Sequence, residues 1–169
     1  INSTMLMNGA SFSPLQVTRT AAGDTVDVFY GDRVEAGASV GLAPGVTNSA
    51  AATQSFLPWA TNDDAVVLAP VVPGPSATPC IVRTATNSVA ASAGTPQQLA
   101  FAGAGKHNKL AFTNNPLASA NYAATYLGDL VWSRYRVNAA GELIVERPMT
   151  GETAIIARNV ISFRVEYGV

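Results

Sequence analysis

The stretch from Tyr126 to Val169 constrains the fold more than any other part of the chain. The run YLGDLVWSRYRV (126–137) is rich in β-branched and aromatic residues, and it ends in the turn residues Asn138 to Gly141. It returns as ELIVER (142–147). Two such runs separated by a short Asn- and Gly-containing turn predict a β-hairpin. A second turn, Pro148 to Glu152, leads to TAIIARNVISFRVEYGV (153–169). From Val160 this run alternates Ile161, Phe163, Val165 and Tyr167 with Ser162, Arg164 and Glu166. That period of two predicts a strand over Val160–Tyr167 with one apolar and one solvated face. Residues 126–169 are thus expected to be the core sheet.

Upstream, TVDVFY (25–30) predicts a strand closed by Gly31 and Asp32. AVVLAPVV (65–72) is a short continuous apolar run bounded by turn residues, which suits a buried strand. CIVRTAT (80–86) reads as its return, and QQLAFA (97–102) and LAFT (110–113) as further strands. Residues 35–62 and 87–96 are Ala, Gly, Ser, Thr, Asn and Pro in composition and are expected to be long loops, with Phe56, Leu57 and Trp59 tacking the first to the body. The Ala/Tyr segment after Pro116 is expected to make one helical turn, and Ser3–Met7 the end of a helix with Gly9 near its stop. Eight or nine short strands with turns between them predict a mainly-β or α+β fold: one antiparallel sheet, a short N-terminal helical stub and long loops, in a single domain over 1–169.

Charge excludes some partners. Ten basic and eleven acidic side chains give a net charge of −1, and charged residues are only 12% of the chain. No global field draws nucleic acid or anionic lipid, so such a partner needs a local patch. The one such patch is Lys106, His107 and Lys109, expected on a solvated turn and bracketed by Phe101 and Phe112. These three are the candidate binding residues, for DNA phosphates or a surface ligand.

No other motif nominates a site. Cys80 and His107 are the one conceivable nucleophile–base pair, but nothing in the chain ties them together. A lone cysteine forms no internal disulfide and no zinc site. Asn62–Asp64 and Gly31–Asp32 carry oxygens, yet a calcium loop needs several carboxylates at regular spacing, and such pairs are commonly turn formers. Gly103 to Lys106 lacks phosphate-loop spacing, and no Gly-x-Ser-x-Gly occurs. Trp132, Arg134 and Arg136 share one strand face, with Glu142 and Glu146 as cross-strand partners. The expectation is a chain that is not an enzyme, with no cofactor and no metal.

The order of these pieces resembles a family. DTVDVFY (24–30), NDDAVVLA (62–69) and CIVRT (80–84) look like the opening half of PilW-type minor pilins of type IV pili. GDLVWSRYRV (128–137), GELIVER (141–147) and ARNVISFRVEYGV (157–169) look like their closing part, and the related J-type pseudopilins of type II secretion end similarly. The lone Cys80 departs from the disulfide-closed C-terminal loop of many major pilins. The resemblance implies a pilin-like sheet domain that assembles with other minor pilins and the major pilin in a tip or priming complex. It also implies a leader and an apolar helix upstream of Ile1 that reach the inner membrane. The domain would be periplasmic before assembly and extracellular in the pilus. Two other functions fit the residues: a pilus-tip adhesin or DNA-uptake subunit, and a secreted β-sandwich binding or capsid-like domain.

Overall fold

A computed structural model describes residues 5–7, 10–34, 36–46, 50–54, 63–71, 80–89, 97–101, 105–108 and 122–166. In chain order the strands are β1 (Met5–Met7), β2 (Ala10–Phe12), β3 (Leu15–Thr20) and β4 (Gly23–Gly31). There follow β5 (Ser39–Gly41), β6 (Ala50–Ala52), β7 (Ala65–Pro70), β8 (Cys80–Thr84), β9 (Asn87–Val89) and β10 (Gln98–Ala100). The chain continues with β11 (Tyr122–Gly128), β12 (Leu130–Val137), β13 (Leu143–Arg147) and β14 (Glu152–Ala157). The fold is mainly β, and no helix occurs among the described residues. The chain divides into two compact units, one of residues 1–12 and 31–130, the other of 13–30 and 131–169.

The first unit holds a six-stranded sheet, order β2-β1-β8-β7-β11-β5, and a three-stranded sheet, order β6-β10-β9. Their pairings are antiparallel except β1 with β8, where Met5 lies beside Cys80. The apolar run at 65–70 becomes the central strand β7 because both of its faces are covered. On one face Val66 and Leu68 stand opposite Tyr126 and Ala124 of β11, and Leu68 opposite Ile81 of β8. Leu99 of β10, Phe101, Leu42 and Val46 join them in one buried cluster. On the other face Ala65, Val67, Val82 and Thr84 are also buried. A fully buried Leu or Val contributes about 1.5–3 kcal/mol, so this cluster is the main source of the unit's stability.

The second unit is one five-stranded sheet, order β14-β13-β12-β4-β3. The predicted hairpin is there: β12 pairs β13, with Arg134 opposite Glu146 and Val137 opposite Leu143. Asn138 makes the turn, its carboxamide oxygen accepting from the N–H groups of Ala140 and Glu142, both at 3.0 Å. Apart from Ile144, the buried side chains among the described residues of this unit are polar: Asp24, Asp27 and Ser133.

Several expectations differ from the structure. The described part of the expected helical stub, Met5–Met7, is a strand, while Ser3 and Thr4 lie outside the described residues. The Ala/Tyr segment is strand β11 from Tyr122, where burial alternates residue by residue. The loop-rich stretch 35–62 contains β5 and β6, and 87–96 begins with β9. Residues 55–62, 90–96 and 110–113 lie outside the described residues, and with them Phe56, Leu57, Trp59 and the expected strand at 110–113.

The terminal strand is also displaced. The third strand of the meander is β14, and residues 160–166 enter no ladder. Asn159, in the left-handed region with φ 59°, turns the chain out of the sheet after Arg158. Ile161, expected on the apolar face, is fully exposed, although Phe163 and Val165 remain half-buried between exposed neighbours. Tyr167 lies outside the described residues.

What holds 160–166 is a buried carboxylate in place of a strand. Asp24 donates its N–H to the Phe163 carbonyl at 3.0 Å. Its carboxylate accepts from the Val165 N–H at 2.8 Å and from Arg164 Nη1 at 3.0 Å. Arg164 also donates to the carbonyls of Thr20 and Ala21, and Arg19 to that of Val165. The Val165 N–H holds the Asp24 carboxyl below its ordinary 3.8, opposed by burial and aided by Arg164. A depressed carboxyl stabilises the fold above its unfolded value and loses that contribution as pH falls through the folded one. Protection of the Val165 amide from hydrogen exchange should therefore be intact at neutral pH and fall below about pH 3.8. Asp24→Asn should raise that exchange by about tenfold at neutral pH, the loss of a charge-assisted bond. An unchanged rate would contradict this anchor.

Candidate functional site

Two of the sequence candidates, Lys106 and His107, lie in Gly105–Asn108, which is hydrogen-bonded to the end of β8 at Arg83 and Thr84. Asn108 is bonded to the backbone of Thr84 at both ends of its carboxamide. Its Nδ2 donates to the Thr84 carbonyl at 2.7 Å, and its Oδ1 accepts from the Thr84 N–H at 3.0 Å. One side chain thus satisfies two strand groups that would otherwise be buried without partners. The His107 N–H donates to Thr84 Oγ1 at 3.0 Å, and its carbonyl accepts from Arg83 Nη1 at 3.5 Å.

Gly105 is buried here because nothing larger fits. A Cβ at that position would stand 2.5 Å from Asn108 Nδ2 and 3.0 Å from Thr84 Cβ. Asn108→Ala should cost about 1–3 kcal/mol, the penalty for leaving buried backbone groups unsatisfied. The check is the urea midpoint of unfolding, and a midpoint at the wild-type value would refute the clasp.

This segment separates the three candidate binding residues. Lys106 is exposed, and its Nζ lies 3.8 Å from an Asp129 carboxylate oxygen. His107 is buried, contrary to the expected solvated turn, and burial pushes its imidazole below the usual value, with Lys106 adding to the shift and Asp129 opposing it. Lys109 lies outside the described residues. Arg33 lies 3.7 Å from Asp32 and 3.9 Å from Asp129, so among the described residues the neighbourhood of Lys106 holds two cations and two carboxylates. Such exposed pairs are worth about 0–1 kcal/mol and balance in charge, which is not the field a phosphate backbone requires.

The remaining candidates are spent on structure. Cys80 is half-buried, and burial raises its thiol, the opposite of what a nucleophile needs. It begins the strand that Thr84 ends, so it stands about 13 Å along β8 from the residue that holds His107. Asp63, at φ 73°, and Asp64 form a turn whose backbone bonds Ala85 in both directions at 2.7 and 2.8 Å. The Asp64 carboxylate is buried and accepts from the Tyr126 hydroxyl at 3.4 Å. Asp32 Oδ1 accepts from the Asp129 N–H at 3.1 Å. Among the described residues no three His, Cys, Asp or Glu side chains are placed to hold a metal ion.

On the five-stranded sheet, Trp132, Arg134 and Arg136 do share a face with acidic partners. Asp27 Oδ1 accepts from Trp132 Nε1 at 2.6 Å and from Arg134 Nε at 2.8 Å. Phe29 stacks on Trp132 with centroids 5.1 Å apart, and the Arg134 guanidinium lies 4.9 Å from the indole centroid. The indole is therefore flanked by a ring and a cation that belong to the protein itself. Arg136 forms a two-pronged ion pair with Glu146, which lowers that carboxyl and raises the guanidinium. Glu142 is lowered by Asn138 and Arg158. The side chain that sequence reasoning missed is Asp24, whose key partner Arg164 is 140 residues away.

Comparison with protein-family models, with curated proteins and with solved structures returned no match.

Proposed function

We propose that the chain is the globular part of a PilW-type minor pilin, a subunit that takes part in pilus assembly through protein–protein contacts. One observation carries this reading. The residues of the resemblance at 130–137 and 143–147 are not scattered: with β14 they form one antiparallel meander, and Asp24 of β4, in the same sheet, holds Arg164 and Val165. The groups that would nominate another chemistry, Cys80, His107, Asp64 and Trp132, are engaged in packing and hydrogen bonds. Partners in this reading are other minor pilins and the major pilin, and membrane attachment comes from an apolar helix upstream of Ile1. The domain is periplasmic before assembly and extracellular in the filament. Filaments sheared from the cells that encode the chain, analysed by mass spectrometry, should contain it at low stoichiometry. Its absence from filaments and from their membrane precursors would refute the assignment.

A second reading, a secreted β-sandwich binding domain, has one observation in its favour. Leu99 of the three-stranded sheet and Val66 and Leu68 of the six-stranded sheet belong to one core, as in packed sheets. The two readings separate on the gene. A leader junction and an apolar helix upstream of Ile1 fit the pilin, and a secretion signal without that helix fits the sandwich.

A further inference from the structure

The β3–β4 turn is built to hold an arginine. Three acceptors converge on the Arg164 guanidinium: the Asp24 carboxylate at 3.0 Å and the carbonyls of Thr20 and Ala21 at 2.7 and 3.0 Å. They are divided between Nη1 and Nη2 of a planar fork, an arrangement that a lysine ammonium does not match. The flanking main chain is held as well. Asp24 donates its N–H to the Phe163 carbonyl and accepts the Val165 N–H, and Arg19 donates to the Val165 carbonyl at 3.2 Å. The receptor is thus residues 19–24, with a buried carboxylate at its centre, and its ligand is an extended Phe-Arg-Val segment. The tether that delivers this segment is loose by comparison. Val160 donates its N–H to the Gly141 carbonyl at 2.8 Å, but the main-chain groups of Ile161 and Ser162 bond no described residue. Ile161 is fully exposed.

We infer that the β3–β4 turn is a docking site for residues 163–165 of a second copy of this chain, the segment being exchanged between the two. A second copy carries the same Phe-Arg-Val, so every contact made within one chain recurs between two, and exchange sacrifices none of them. Exchange also covers what the closed chain leaves open. Where the two tethers pass each other, the exposed Ile161 side chains meet and the open N–H and C=O groups beside them find partners. The inference rests on these contacts and stands apart from the pilin reading, since the purified chain alone tests it. Within one chain the tether keeps the segment at an effective concentration in the millimolar range, so the wild type should remain a monomer at micromolar concentration. Docking between copies becomes visible once that internal competition is removed.

Two substitutions in the full chain remove it. Arg164→Ala leaves a site without its ligand, and Asp24→Ala leaves a ligand without its site. In sedimentation velocity each alone should be a monomer, and their equimolar mixture should form a heterodimer. A contact this small falls below the roughly 1,200 Å² of stable complexes, so dissociation at about 10–300 μM is expected. Should either alanine variant unfold, Arg164→Lys mixed with Asp24→Asn makes the same test. The acetylated and amidated peptide of residues 161–166, ISFRVE, should bind the Arg164→Ala chain in the same range. It should bind wild type and Asp24→Ala at least about tenfold more weakly, and the peptide carrying Arg164→Lys should lose about tenfold on the Arg164→Ala chain. Equal peptide binding by all three chains would overturn the site. No heterodimer on mixing folded variants, even where the peptide binds, would overturn the second copy as its occupant.

Discussion

Gly31→Ala should lower stability by about 3 kcal/mol, with a downward shift of roughly 1–2 M in the urea midpoint. The cause is a backbone-to-backbone contact. A Cβ on Gly31 would fall onto the carbonyl oxygen of Leu127 and stand 2.8 Å from its Cα. No rotamer change relieves such a clash, because the neighbour is main chain. Two backbones meet here for a reason: the next residue, Asp32, exchanges hydrogen bonds with Asp129, giving its N–H to the Asp129 carbonyl and taking the Asp129 N–H on Oδ1, both at 3.1 Å. The variant must spread that contact or abandon it. A midpoint within error of wild type would show that the approach is not needed.

Leu68→Ala should cost about 3–5 kcal/mol, the range for a fully buried leucine that leaves a cavity. Leu68 has no solvent exposure and lies at the centre of β7, between Ile81 and Ala124. Its neighbours are held by ladders on both sides, so they cannot collapse into the space. Ile156→Ala, on the exposed edge strand, removes a similar volume and should cost less than about 0.5 kcal/mol. If the two substitutions cost the same, the core is not where the structure places it. A loss of this size is a large share of a typical domain stability of about 5–15 kcal/mol.

The strands that were legible in sequence are those whose pattern and turn chemistry agree. AVVLAP announced a buried strand through its apolar run, and Asn138 to Gly141 announced the hairpin through its turn residues. The hairpin β3–β4 was not legible, because its two-residue turn is Ala21-Ala22, and alanine carries no turn preference. The Ala-rich β11 suggested a helical turn because alanine favours helix, and only the adjacent β7 makes it a strand. At the C-terminus the alternation over 162–166 is real in exposure, yet period two does not reveal whether the partner is a strand or a carboxylate. Asp24 supplies that partner from the far end of the chain, beyond any local signal.

The candidate site was legible only as composition. GKHNK reads as a polar turn, and Lys106 is on the surface as such a turn requires. His107 is inside, beside Asn108, which clamps Thr84 24 residues upstream, and its own N–H donates to Thr84 Oγ1. That distinction is tertiary. It also removes one of the three groups from which a basic patch would be built.

We propose that the chain serves as an assembly subunit of a surface filament. Deleting its gene in the cells that encode it, and counting surface filaments by electron microscopy, is the decisive measurement. Loss or marked shortening of the filaments, restored by the wild-type gene and not by Leu68→Ala, is the predicted result. Filaments unchanged in number and length would contradict it.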